Sequence, residues 1–90
     1  MQEQQVMRTH KLEVIAREKI CASGVQKIEY FSPEAVAAKT SCGKLIIKGS
    51  NLYVESLNAE TGDLLIRGRV NEIIYTENDD EKNWLKRLFK

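Results

Sequence analysis

Proline, histidine and cysteine are nearly missing from this chain of 90 residues: Pro33, His10, Cys21 and Cys42 are all it holds of them. One imidazole and two distant thiols give a dedicated zinc site too few ligands, so no metal or other cofactor is expected. The opening MQEQQVMRTHK lacks the apolar centre and small-residue cleavage site of a secretory signal. No apolar stretch approaches the roughly 20 residues that a membrane-spanning helix needs. The expected setting is the cytoplasm in which the chain is made, with both cysteines as reduced thiols. An excess of one charge is also absent, since 14 Lys and Arg stand against 13 Asp and Glu, a formal net charge of +1. Binding by broad neutralisation of phosphates needs a basic face with a clear surplus, so nucleic acid is not an expected partner.

What the chain does have is the composition of an ordinary small soluble domain, 42% apolar and 30% charged. Residues 1–10 read as a mobile polar arm, because Gln2, Glu3, Gln4 and Gln5 offer nothing to bury. From Lys11 the texture changes to short runs rich in β-branched and aromatic residues. Strands are predicted near Leu12–Ala16, Lys19–Ala22, Val25–Phe31, Ala35–Thr40, Lys44–Lys48, Leu52–Leu57, Leu64–Arg69 and Val70–Thr76. Turn signals separate them, among them Ser23-Gly24, Ser32-Pro33-Glu34, Ser41-Cys42-Gly43 and Gly49-Ser50-Asn51. Connections this short favour antiparallel neighbours. The expected fold over residues 11–76 is therefore mainly β, a single small antiparallel barrel or sandwich of about seven or eight short strands.

Two phrases nearly repeat, LIIKG at Leu45–Gly49 and LLIRG at Leu64–Gly68. A phosphate-cradling loop needs clustered glycines and a following helix, and neither phrase has them. The glycines are better read as structural: Gly49 as a turn between strands, Gly68 as a bend or bulge inside one. Strand alternation places Leu45 and Ile47 opposite Ile46, Leu64 and Ile66 opposite Leu65, and Ile73 opposite Ile74. The expected interior is Leu12, Val14, Val25, Leu45, Ile47, Leu52, Val54, Leu64, Ile66 and Ile74. Ile46, Leu65 and Ile73 are left as the expected contacts of a homo-oligomer, which would supplement a core this small.

No nucleophile is accompanied by a base and an orienting group. Cys42, in a turn beside Lys44, is the most enzyme-like residue, but a small side chain in a hairpin explains it without chemistry. Glu29, Glu55 and Glu72 sit on strands amid lysines and read as solvated cross-strand partners, not as an acid/base pair. Residues 77–90 stand apart. Asn78 is fit to cap a short amphipathic C-terminal helix with Asp79, Asp80 and Glu81 in its first turn. Trp84, Leu85, Leu88 and Phe89 would share one face, and Lys86, Arg87 and Lys90 the other. That face either packs on the outer side of the sheet, over Ile46 or Ile73, or docks on a partner or an anionic membrane surface.

The span from His10 to Glu77 resembles the YabP/YqfC family of sporulation proteins, and within it the YabP branch. The features that carry the resemblance are His10-Lys11-Leu12, Gly24-Val25, Phe31, Thr40, Gly43, Leu45, Ile47-Lys48-Gly49, Leu52, Leu57-Asn58, Gly62, Ile66, Gly68, Tyr75 and the closing Leu85–Phe89. The chain departs from the family's pattern at Cys21-Ala22-Ser23 and at Ser41-Cys42, both in or beside turns. The resemblance implies endospore formation, with the protein made in the mother cell and tied to late envelope or cortex development. It supplies no catalytic residues. The expected function is that of a non-enzymatic adaptor or scaffold, peripheral at the forespore outer membrane, with an integral membrane sporulation protein as the expected partner. The alternative is a small β-barrel domain that binds an oligosaccharide, nucleotide or oligonucleotide on its strand face. Exposed aromatics among basic residues on one sheet would mark that alternative.

Overall fold

The computed structural model describes residues 9–77. They form six strands: β1 (Lys11–Ile15), β2 (Lys19–Ser23), β3 (Val25–Ser32), β4 (Ala35–Thr40), β5 (Gly43–Asn58) and β6 (Asp63–Thr76). All neighbours are antiparallel, in one open sheet of order β1-β2-β6-β5-β4-β3. The expectation of a mainly antiparallel β domain holds, while the expected barrel or sandwich of seven or eight strands is instead one open sheet of six. The predicted amphipathic helix over residues 77–90 lies almost wholly outside the described residues.

Strand order alone requires the sheet to coil. β2 and β3 lie four positions apart in it, with β6, β5 and β4 between them. In a flat sheet that separation is roughly 19 Å. Only Gly24 joins the two strands, and two Cα steps reach at most about 7 Å. The sheet therefore folds over, bringing two halves together across one core. The first half is β1, β2, the start of β6 and the end of β5; the second is β3, β4, the start of β5 and the end of β6. Two bonds stitch the halves beside Gly24: Val25 N–H donates to Gly62 O at 3.0 Å, and Ser41 N–H to Gly24 O at 3.1 Å.

β5 and β6 run through both halves, so the sheet must bend where they cross from one to the other. Gly49 and Gly68 stand at that corner. A Cβ on Gly49 would overlap the carbonyl of Arg69; one on Gly68, where φ is +130°, would lie 2.5 Å from Asn51 O and 2.7 Å from Leu52 Cα. The bend inside a strand foreseen at Gly68 is present. Gly49, expected to end a strand, instead lets β5 continue, so Lys44–Lys48 joins Leu52–Leu57; Leu64–Arg69 likewise joins Val70–Thr76 in β6, and eight predicted strands become six.

The face enclosed by the coil carries the main core: Ile20 and Ala22 from β2, Val25 from β3, Val36 and Ala38 from β4, Leu45, Ile47 and Leu52 from β5, and Leu64, Ile66 and Val70 from β6. Ile20, Val36, Leu45, Ile47 and Ile66 are wholly buried. Of the expected interior, Leu12 and Val54 are only partly buried, and Val14 is 39% exposed because β1 is an edge strand. Ile74 corrects the alternation. Lys48 pairs with Glu72 but Gly49 with Val70, so Asn71 is an extra residue and the parity of β6 reverses there. Ile73 therefore lies opposite Ile47 on the core face, while Ile74 lies opposite Ile46 on the outward one.

Candidate docking surfaces

The three residues expected at an oligomer interface do not form one surface. Ile46 is completely buried, in a second apolar cluster with Ala35 and Ala37 on the outward side of the second half, where Tyr30 and Ile74 pack against it. It offers no free surface in the single chain. Leu65 is half-buried on the outward side of the first half, in register with Cys21 and Ser56. Ile73, 36% exposed, lies on the core-facing side at the rim. The expected docking residues Trp84, Leu85, Lys86, Arg87, Leu88, Phe89 and Lys90 lie outside the described residues.

Of the carboxylates expected as solvated cross-strand partners, Glu29 and Glu55 each meet a cation, but only Glu55 does so on an exposed face of neighbouring strands. Lys44 Nζ meets Glu29 Oε1 at 2.5 Å, with the lysine only 4% exposed and the glutamate 17%. In that environment the attraction is weakly screened, and it offsets the cost of taking the ammonium from water. Arg67 Nε meets Glu55 Oε1 at 2.5 Å on an exposed face. The hydrogen bond to Glu55, with the attraction of its charge, raises the Arg67 pKa above its already high usual value. Arg69 reaches Glu18 at 3.7 Å.

Those arginines frame a depression of about 330 Å³ lined by Glu18, Asn51, Tyr53, Arg67, Gly68 and Arg69. Tyr53, half exposed, is its one aromatic. Each arginine there already has a carboxylate, Glu55 for Arg67 and Glu18 for Arg69. A larger groove of about 590 Å³ runs over β1 and β2, where Lys11, Glu13, Cys21, Ser23 and Asp63 mix both charges.

His10 was assigned to the mobile arm, yet it has a fixed setting. Its Nδ1 lies 2.7 Å from Ser23 O and must donate to that carbonyl. In the neutral ring Nε2 is then the acceptor for the Tyr75 hydroxyl, 2.6 Å away. Ser23 Oγ donates to Thr9 O at 2.6 Å. This clamp ties the start of β1 to the end of β6, across from one half of the sheet to the other. Burial, with a smaller contribution from the Cys42 charge, raises the Tyr75 pKa. The backbone N–H of Cys42 donates to Thr40 Oγ1 at 3.0 Å, within the β4–β5 turn. Among the described residues no group of three or more His, Cys, Asp or Glu side chains is placed to hold a metal ion.

The surface that sequence reasoning missed is the edge strand β1. Lys11, Glu13, Val14 and Ile15 are all exposed, and only Leu12 is half-buried. Its KLEVI pattern alternates too briefly to separate an edge from an interior strand. The missing signal was long-range: which strands pair with β1.

Residues 6–82 match the sequence model of the YabP family. The chain belongs to the YabP family. It is 32% identical over 88 residues to the spore protein YabP of Bacillus subtilis (strain 168), an alignment that covers 94% of this chain and 88% of that protein. This is a family of spore proteins and not a known enzyme family. The features behind the resemblance prove to be largely architectural. Gly24 is the crossover between halves, Gly49 and Gly68 are the corner, and Gly62 closes the β5–β6 connection through its bond to Asn58 O. His10 and Tyr75, 65 residues apart, are the two ends of the clamp.

Proposed function

We propose that this sporulation protein is a non-enzymatic adaptor or scaffold, working by protein contact at a membrane surface in the mother cell during late envelope or cortex development. The observation that carries this reading is the kind of surface the sheet presents. Large apolar side chains stand exposed on several strands, aliphatic in Val14, Ile15, Leu57 and Ile73 and aromatic in Phe31, Tyr53 and Tyr75, while Arg67 and Arg69 are matched by nearby carboxylates. Such a surface suits protein contact more than a polyanion. In the tail, Trp84, Leu85, Leu88 and Phe89 each contribute roughly 1.5–3 kcal/mol if fully buried. Lys86, Arg87 and Lys90 add about 1 kcal/mol each near anionic lipid. Ordering a helix of about a dozen residues offsets much of this. One tail therefore binds weakly, and several tails on one oligomer bind by avidity.

Co-sedimentation with vesicles of phosphatidylcholine and phosphatidylserine tests the membrane contact. The intact chain is expected to pellet at low salt, less at high salt, and not at all once residues 84–90 are deleted. If the deletion melts the β domain, the tail belongs to the fold and membrane contact runs through a protein partner. That partner is expected to be an integral membrane protein of the spore, recovered by capture from sporulating cells. The depression at Tyr53 supports the second reading, a small-ligand domain. The engagement of both its arginines by Glu55 and Glu18 weighs against that reading.

A further inference from the structure

An open sheet has edges, and those of this molecule are treated differently. β3 carries two irregularities of register, between Val25 and Lys27 and between Ile28 and Tyr30. Bulges of this kind twist an edge away from further pairing. The free side of β6 beyond Arg67 begins at the extra residue Asn71. There the Arg17 guanidinium donates to Val70 O at 2.9 Å and to Asn71 Oδ1 at 3.1 Å. β1 has neither bulge nor cap, and its protection is confined to its shortness and to the exposed charges of Lys11 and Glu13. Its five residues pair with β2 in unbroken register, and among the described residues no strand lies on its other side. It holds no proline. A regular, uncovered edge is a template for another strand.

We infer that β1 is a self-pairing edge: two copies of the chain join their sheets through β1, antiparallel, about a twofold axis at Leu12. This extends the adaptor reading by supplying the oligomer, and it rests on that reading only for its purpose. The register follows from parity and charge. For both core faces to lie on the same side of the joined sheet, odd residues must oppose odd and even oppose even. Centring the pair on Lys11 sets lysine against lysine, and centring it on Glu13 sets glutamate against glutamate, both destabilising. Centring on Val14 leaves little strand to pair, because the chain turns at Ala16 and Arg17, where φ is 54° and 57°. Centring on Leu12 sets Lys11 of each copy against Glu13 of the other, twice by symmetry. All four of these side chains are exposed and free to meet. On the core side Leu12 then meets its own counterpart, with Val14 on the diagonal within reach. The side of β1 on which no described strand lies is thereby paired, and Val14 gains cover.

Sedimentation velocity of the full chain over a micromolar concentration series tests this without membranes. The unaltered chain is expected to form a dimer. Lys11→Glu alone and Glu13→Lys alone each turn two attractive cross-strand pairs into repulsive ones, and each should weaken the dimer by about tenfold or more. The double exchange, Lys11→Glu with Glu13→Lys, should restore it. Mixing the two single variants should give a heterodimer, since the acidic edge then meets the basic one, which also shows that both are folded. A strictly monomeric chain, single variants that dimerise normally, or a mixture that stays monomeric would each overturn the inference. A monomer that still pellets with vesicles leaves the adaptor reading standing; a charge-sensitive dimer that ignores vesicles removes the membrane contact and keeps the pairing.

Discussion

LIIKG and LLIRG occupy matching places in the two halves of the sheet and end differently. In each, the outer two aliphatics point into the core and the closing glycine stands at the corner: Leu45, Ile47 and Gly49 in one, Leu64, Ile66 and Gly68 in the other. The middle aliphatic is where they part. Ile46 is completely buried among Ala35 and Ala37, whereas Leu65 is half-buried beside Cys21 and Ser56. The phrase thus determines the inward pair and the bend, and the neighbouring strands determine what becomes of the outward residue. Both β4 and β2 stand next to an edge strand, β3 and β1 respectively, but β4 sets the small, buried Ala35 and Ala37 on the outward side where β2 sets the half-buried Cys21. On the self-pairing proposed for β1, contact with a second copy falls to the first half.

The comparison can be broken most severely at the corner. Gly49→Val forces a side chain into the Arg69 carbonyl, a backbone atom that cannot swing aside. The expected loss exceeds about 4 kcal/mol, in the range of exceptional single changes, and circular dichroism should show no cooperative unfolding transition. Next come the inward pairs. Ile47→Ala and Ile66→Ala should each cost about 2–5 kcal/mol in urea titrations, and by similar amounts, because both side chains are wholly buried in one core. The middle positions sharpen the contrast: Ile46→Ala should fall in the same range, while Leu65→Ala should cost less than about 2 kcal/mol, since a half-buried side chain removes less surface from water.

The inward pairs and Gly68 were legible in the sequence because alternation and glycine chemistry are local. Gly49 was misread because a glycine that bends a continuous strand and one that ends it look alike until the partner strand is known. Ile73 and Ile74 were exchanged for a similar reason. Asn71, the bulged residue, is an exposed polar side chain with nothing in its type to announce an irregularity. His10 could not be placed because its partners, Ser23 and Tyr75, are distant in sequence. On the docking side, the exposed charges of KLEVI were visible, but their meaning depended on β1 being an edge.

Smaller effects are expected at the clamp and on the open face. Burial holds the Tyr75 pKa above the usual tyrosine range, so the stability linked to its proton is fully present below pH about 10 and is lost as pH rises through the raised value. Tyr75→Phe should flatten that alkaline decline in thermal melts. Smallest of all, Arg67→Ala removes an exposed ion pair, and the melting temperature at neutral pH should not measurably change.

The claim that the first half is the contacting half is tested most directly by hydrogen–deuterium exchange of the full chain at low and high concentration, read strand by strand. On this account raising the concentration slows exchange in the amides of β1 and leaves β3 and β4 unchanged. Protection that appears in β3 instead, or in no strand at all, would contradict it.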